Sequence, residues 1–132
     1  MIILDTSGIV ALANRADIHH ADAVGVIRTS ASSLIVPSVI LSEVAYVLTR
    51  RSGEPAFLRF FDALIEGSMV WHDSQRETRR IRELMVRYAN LPLGFADAAV
   101  IAAAEVRQAP VLTFDCRHFD VVAGEGSISI LP

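Results

Sequence analysis

Met1-Ile2-Ile3-Leu4-Asp5-Thr6-Ser7-Gly8 runs four apolar residues into a carboxylate and then into small polar residues. The apolar run does not alternate with polar residues, as expected of a strand buried on both faces of a parallel sheet. Residues 2–5 therefore read as a short interior strand with Asp5 at its carboxyl end. Thr6-Ser7-Gly8 reads as a turn with capping residues, and Ile9 to Asn14 as the start of a helix.

The same alternation continues outward from this opening. Residues 20–31 carry Ala23, Val24 and Ile27 at helical spacing. Leu34-Ile35-Val36-Pro37 reads as a second strand stopped by proline, with Ser38 as N-cap. Val39 to Arg51 follows as a strongly apolar helix closed by Ser52-Gly53. Glu54-Pro55 opens a helix with Phe57, Leu58, Phe61, Leu64 and Ile65 at core spacing, ended by Gly67. Met69-Val70-Trp71 is a third strand, and Asp73 or Ser74 caps a long helix to about Asn90. After the loop Leu91–Gly94, Phe95 to Val106 forms an alanine-rich helix. Val111–Thr113 and Ile128–Ile130 supply a fourth and a fifth strand. Strands alternating with helices imply an α/β fold, a parallel sheet covered on both faces. With 132 residues the chain is expected to form one domain with a sizeable core.

Within that pattern four acids stand where apolar residues are expected: Asp5, Glu43 between Ser42 and Val44, Asp97 between Ala96 and Ala98, and Asp115 after Phe114. The other acids lie in polar or helix-surface contexts. A carboxylate among apolar neighbours is costly unless paired or bound to a metal. Ligands of open parallel sheets bind beyond the carboxyl ends of the strands. Asp5 and Asp115 follow strands, while Glu43 and Asp97 lie near helix starts, so all four can face one cleft. Four carboxylates together demand a cation, and their hard oxygens suit Mg²⁺ or Mn²⁺. Taken singly, Asp97 is explained as a helix-dipole residue and Asp115 as a turn residue.

Composition narrows the chemistry further. The net charge is −3 and 52% of residues are hydrophobic, with a mean hydropathy of +0.42. No apolar run reaches the ~18–20 residues of a membrane span, and the opening residues do not resemble a signal peptide. A cytoplasmic protein is expected. The single cysteine, Cys116, excludes an internal disulfide and a thiolate cluster, and reads as a small core filler. Histidine is absent beside the first three acids, which disfavours zinc. His118, within Arg117-His118-Phe119, reads as a surface or packing residue that could touch substrate. His19, His20 and His72 read as solvated loop or helix-end residues.

Asp5-Thr6-Ser7 after an apolar strand, Ser42-Glu43-Val44 in an apolar helix, Phe95-Ala96-Asp97-Ala98 and Thr113-Phe114-Asp115 together resemble the PIN-domain nucleases. The size and the segment Thr113-Phe114-Asp115-Cys116-Arg117-His118-Phe119 are most similar to VapC toxins of bacterial toxin–antitoxin pairs. The resemblance covers essentially the whole chain. It implies a PIN-like three-layer α/β/α sandwich with a mostly parallel sheet of four to five strands. It also implies a divalent-metal-dependent endoribonuclease that cuts structured RNA such as transfer or ribosomal RNA. Carried over by position, Asp5, Glu43, Asp97 and Asp115 form the acidic quartet. Asp5 and Asp97 would bind Mg²⁺ or Mn²⁺ most directly, and Asp115 would complete the shell. Glu43 would act through a metal-bound water or as general base. Thr6, Ser7 and Thr113 match polar positions that hold the carboxylates or a substrate phosphate. The resemblance further implies homodimers and a VapB-like antitoxin that inserts residues into the acidic cleft.

All twelve basic residues are arginine, the side chain suited to bidentate phosphate contacts. Arg76, Arg79, Arg80 and Arg87 fall opposite Ile81, Leu84, Met85 and Tyr88 on the helix that begins near Asp73. They form either a phosphate-contacting ridge or a solvated face paired with Glu83. Arg117 lies two residues after Asp115, within reach of substrate. Arg50 and Arg51 complement a helix dipole. Phe57, Phe60 and Phe61 exceed what one helix face needs, and suggest a surface that receives an antitoxin helix. Haloacid dehalogenase-like phosphatases and response-regulator receivers also place an aspartate after the first strand, but both need a lysine, and this chain has none. A non-catalytic RNA- or protein-binding domain of the same fold, or a metal-dependent DNase, remains as the alternative.

Overall fold

The computed structural model describes residues 1–132. Five short strands form one sheet: β1 (Ile2–Leu4), β2 (Leu34–Pro37), β3 (Met69–His72), β4 (Val111–Leu112) and β5 (Ile130–Leu131). Their order is β3-β2-β1-β4-β5, and every pairing is parallel. Seven helices flank the sheet: α1 (Thr6–Ala13), α2 (His20–Ser30), α3 (Leu41–Ser52), α4 (Glu54–Ile65), α5 (Thr78–Arg87), α6 (Phe95–Arg107) and α7 (Cys116–Gly124).

The chain moves outward from β1 to β2 to β3, then returns to lay β4 on the other side of β1. Right-handed crossovers in these two directions place α1–α4 on one face and α5–α7 on the other. The packing agrees: α1 meets α2 and α3, α3 meets α4, and α5 meets α6. The reversal of direction falls between β1 and β4, so the crevice beyond their carboxyl ends is where a ligand site is expected.

The core explains why the opening residues decide the fold. Ile2, Ile3 and Leu4 are each no more than 1% exposed. The middle of α6 is apolar all round, and Ala98 through Ala104 are all buried between the sheet and α5. A helix without a polar face has to be covered on all sides. Small side chains let it lie close to its neighbours. Helix α1 approaches β4 even more closely, because a Cβ added at Gly8 would collide with the Leu112 carbonyl oxygen. Gly53, at φ 82°, turns the chain between α3 and α4 in a conformation that favours glycine.

The sequence reading needs several corrections. Thr6-Ser7-Gly8 is not a turn before a helix but the first turn of α1, with Asp5 as the N-cap accepting from the Ser7 N–H at 3.3 Å. Ser38–Ile40 is a 3-10 turn that delays α3 to Leu41. The helix expected from Asp73 to Asn90 is shorter. Asp73 caps a 3-10 turn at Ser74–Glu77, and the α-helix runs only from Thr78 to Arg87. On α4 the buried face is Ala56, Phe60 and Leu64, leaving Leu58 and Ile65 exposed. Phe57 and Phe61 meet edge to face at 4.9 Å, so much of the aromatic excess packs on itself. Helix α7 was not anticipated, although Phe119 and Val122, three apart and both buried, carry its signature. Cys116 is exposed rather than a core filler.

His72 and Glu77 are also buried, contrary to their reading as solvated or surface residues. An arginine can only donate, so the Arg107 guanidinium, 3.2 Å from His72 Nδ1, makes that nitrogen the acceptor. Nε2 then carries the proton and donates to Glu77 Oε2 at 3.1 Å. The cluster ties the end of β3 to the turn before α5 and to the last turn of α6.

Candidate active site

Asp5, Glu43, Asp97 and Asp115 line one cleft of about 300 Å³, together with Thr6, Ser7, Asp17, His19, Arg51 and Phe114. Each acid stands at a helix start. Asp5 and Asp115 are the N-caps of α1 and α7, and Glu43 and Asp97 lie in the first turns of α3 and α6. The partial positive charge of a helix N-terminus favours anions there, which offsets part of the repulsion among the four.

Asp5 is the most constrained of them. The carboxylate is 5% exposed. Its Oδ2 accepts from Ser7 Oγ at 2.7 Å and Thr113 Oγ1 at 3.0 Å, besides the Ser7 N–H. Each hydroxyl has one proton to give, so the 3.2 Å between Ser7 Oγ and Thr113 Oγ1 is proximity rather than a further bond. The hydroxyls are held in turn by the backbone after β4. Phe114 N–H donates to Ser7 Oγ at 2.9 Å, and Asp115 N–H to Thr113 Oγ1 at 3.1 Å. Asp5 and Asp115 are thereby locked in register through two side chains. Oδ1 of Asp5 receives none of these side-chain bonds. Burial pushes the Asp5 carboxyl above the ordinary carboxylate range, the Ser7 and Thr113 hydroxyls pull it back, and the charge of Asp97 pushes it up again.

Asp97 has its own partner. His118 Nδ1 lies 2.8 Å from Asp97 Oδ2 and donates to it, although its ring is largely covered. No histidine is adjacent to Asp97 in the sequence, but α7 carries His118 back over the start of α6. Asp115 leaves its carboxylate free of capping bonds, and Glu43 is exposed on the cleft wall.

The donor set is one of hard carboxylate oxygens. No three His, Cys, Asp or Glu side chains close on one point tightly enough to hold an ion alone. Hard carboxylate oxygens of this kind are ligands for a hydrated divalent cation that keeps several of its waters. Thr6 Oγ1 is buried in the wall without a hydrogen-bond partner, an orphaned group that an incoming water or ligand oxygen would satisfy.

The arginines expected to meet substrate are placed unevenly. Arg80 is bound into the fold by a bidentate pair with Glu105, Nε to Oε2 at 2.7 Å and Nη2 to Oε1 at 2.9 Å. It also reaches Glu83 at 3.3 Å, and Glu105 holds its pKa above the usual guanidinium value. Arg87 pairs with Glu125 rather than Glu83. Arg76 and Arg117 are exposed but do not line the cleft. Arg51, read only as a dipole partner, does line it, 4.0 Å from Asp17. Asp17, His19 and Phe114 were also missed, since none has an anomalous sequence context.

Comparison with known proteins agrees with this fold. The PIN domain model matches residues 2–125. Ribonuclease VapC26 of Mycobacterium tuberculosis is 30% identical over 135 aligned positions, covering 99% of this chain and all of that one. Among solved structures, the Mycobacterium tuberculosis VapC20 toxin, described as cleaving the sarcin-ricin loop, superimposes with a TM-score of 0.84 at 21% identity over the full length of both chains. VapBC2 from Rickettsia felis, bound to a promoter DNA fragment, gives 0.70 at 16% identity, covering 98% of this chain and 97% of that one. With its acids gathered in one cleft on this fold, the chain belongs to the PIN-domain family and, within it, to the VapC ribonucleases.

Proposed function

We propose that this protein hydrolyses phosphodiester bonds of structured RNA, such as transfer or ribosomal RNA, at the acidic cleft and with a divalent metal. The observation that carries the reading is the gathering of four carboxylates from four separate elements around the buried, hydrogen-bonded Asp5. Asp5, Asp97 and Asp115 would hold Mg²⁺ or Mn²⁺. The ion, when bound, neutralises charge on the phosphodiester and acidifies water. Glu43 is free to take a proton from the attacking water. Ser7 and Thr113 fix the Asp5 carboxylate, and His118 fixes that of Asp97. Arg51 is the one cation on the cleft wall and contacts a flanking phosphate.

The same reading includes a VapB-like antitoxin that blocks the cleft and a cytoplasmic homodimer, which light scattering on the purified protein would register as twice the chain mass. It is supported by the relatedness to VapC26 and by the folds of antitoxin-bound relatives. No helix is long and apolar enough to cross a membrane.

Incubating purified, antitoxin-free protein with total cellular RNA and Mn²⁺ or Mg²⁺ tests the reading directly. Discrete fragments are expected, lost with EDTA and with Asp97→Ala, and reduced on the order of 10²–10⁴-fold by Glu43→Ala. A folded protein that cuts no RNA with either metal sinks the nuclease reading.

A further inference from the structure

His19 and Phe114 stack face to face in the wall of the acidic cleft, with ring centroids 4.4 Å apart and planes within 11°. The backbone carrying each ring is anchored by groups of the site itself. Phe114 N–H donates to Ser7 Oγ at 2.9 Å, the hydroxyl that also holds Asp5. His19 N–H donates to Asp17 Oδ1 at 2.8 Å, and Asp17 faces Arg51 across the same cleft. Phe114 packs against the core as well as against His19, which leaves the His19 ring as the part of the stack that the cleft can offer to a ligand.

We propose that the His19–Phe114 stack receives a nucleobase of the nucleotide flanking the scissile phosphate, so that the enzyme recognises its target at an unpaired base. The inference rests on the nuclease reading and deepens it. A phosphate held among the carboxylates carries its base toward the walls of this small cleft, and the stack is the aromatic surface there. Bases are free to stack on protein rings only where RNA is single-stranded, in loops, bulges and ends. Arg51 stands beside the stack to contact the adjoining phosphate, which gives one nucleotide two holds.

The test uses an oligoribonucleotide spanning the site mapped from total RNA, intact or with an abasic residue on either side of the cut. For the wild-type protein, the abasic residue at one flank is expected to raise KM about ten-fold, the loss of one base stacked on an aromatic ring. His19→Ala is expected to raise KM on the intact strand by a similar factor while kcat changes little. The two losses should not add, because they remove the same contact. His19→Phe, which keeps a flat ring, should restore KM and the penalty for the abasic strand. Unchanged kinetics in His19→Ala would overturn the proposal. So would equal losses on intact and abasic strands, since the stack would then serve packing only. A His19→Ala protein that cleaves normally but escapes a cognate antitoxin would assign the stack to a protein partner instead, and the proposal would fall. A wild-type protein that cuts no RNA at all would remove the nuclease reading, an outcome distinct from each of these.

Discussion

Asp5 is held in a state that opposes stability. Its carboxylate is buried with no basic partner, and the three bonds to Oδ2 only partly replace lost hydration. Its pKa is raised, so in the absence of metal the folded protein loses stability as pH climbs from the unfolded carboxylate value through the raised folded value. Asp5→Asn keeps a carbonyl oxygen for Ser7 and Thr113 and removes the charge. The variant should have a higher Tm than the wild type at pH 7 without metal. The gap should narrow as pH falls through the Asp5 pKa, and Mg²⁺ should stabilise only the wild type appreciably. Calorimetry between pH 4 and 8, with and without Mg²⁺, checks all three; a less stable Asp5→Asn protein at pH 7 would contradict the argument. Acids of this kind are legible in sequence because a charge inside an apolar run is anomalous. Arg51 and His19 are not, because a helix-end arginine and a loop histidine look ordinary until the fold brings α3 and the α1–α2 loop to the same cleft. His72 and Glu77 were misread for the converse reason, since polar neighbours in the chain hid their burial.

The elements explain how four charges of one sign can be gathered without unfolding the sheet that carries them. Each acid enters at a helix N-terminus, and two of those helices, α1 and α7, directly follow the adjacent strands β1 and β4. The arrangement depends on α1 lying hard against β4, and that approach depends on Gly8. Gly8→Ala would drive a methyl group into the Leu112 carbonyl, so backbone rather than a flexible side chain has to give way. A cost of about 1–3 kcal/mol is expected. Nuclease activity should fall further than the stability loss explains, because the same shift parts Ser7 from Thr113. Chemical denaturation measures the first effect and cleavage under fully folded conditions the second; a fully active, equally stable variant would show that the approach is not needed. Strand and helix order was legible from periodicity apart from α7, and the element ends were not. The Asp73 cap, the inward turn of Glu77 and the short run of α7 depend on contacts that are distant in sequence.

At the scale of the whole molecule, an acidic protein has to bind a polyanion without a basic coat. Its arginines do not form one. Arg80 and Arg87 are spent on Glu105 and Glu125, Arg107 on His72, and Arg50 on the Tyr46 hydroxyl. Arg15, Arg28 and Arg59 surround a separate apolar groove beside α1, α2 and α4. Arg51 alone lines the acidic cleft. RNA affinity must then come from few phosphate contacts, supplemented by metal and stacking. For single strands each neutralised phosphate contributes about −0.7 to the slope of log affinity against log salt. The single contact at Arg51 gives a slope of about −0.7 at fixed Mg²⁺, and Arg51→Ala should bring it close to zero. If instead the exposed Arg76, Arg79 and Arg82 formed a ridge on the RNA, the slope would be about −2.1 and would survive loss of Arg51. Binding measured over a salt series with wild type, Arg51→Ala and Arg76→Ala separates the two cases. A shallow slope means that target choice resides in the cleft, where shape and stacking can discriminate among RNAs; a steep one would move it to the outer face of α5.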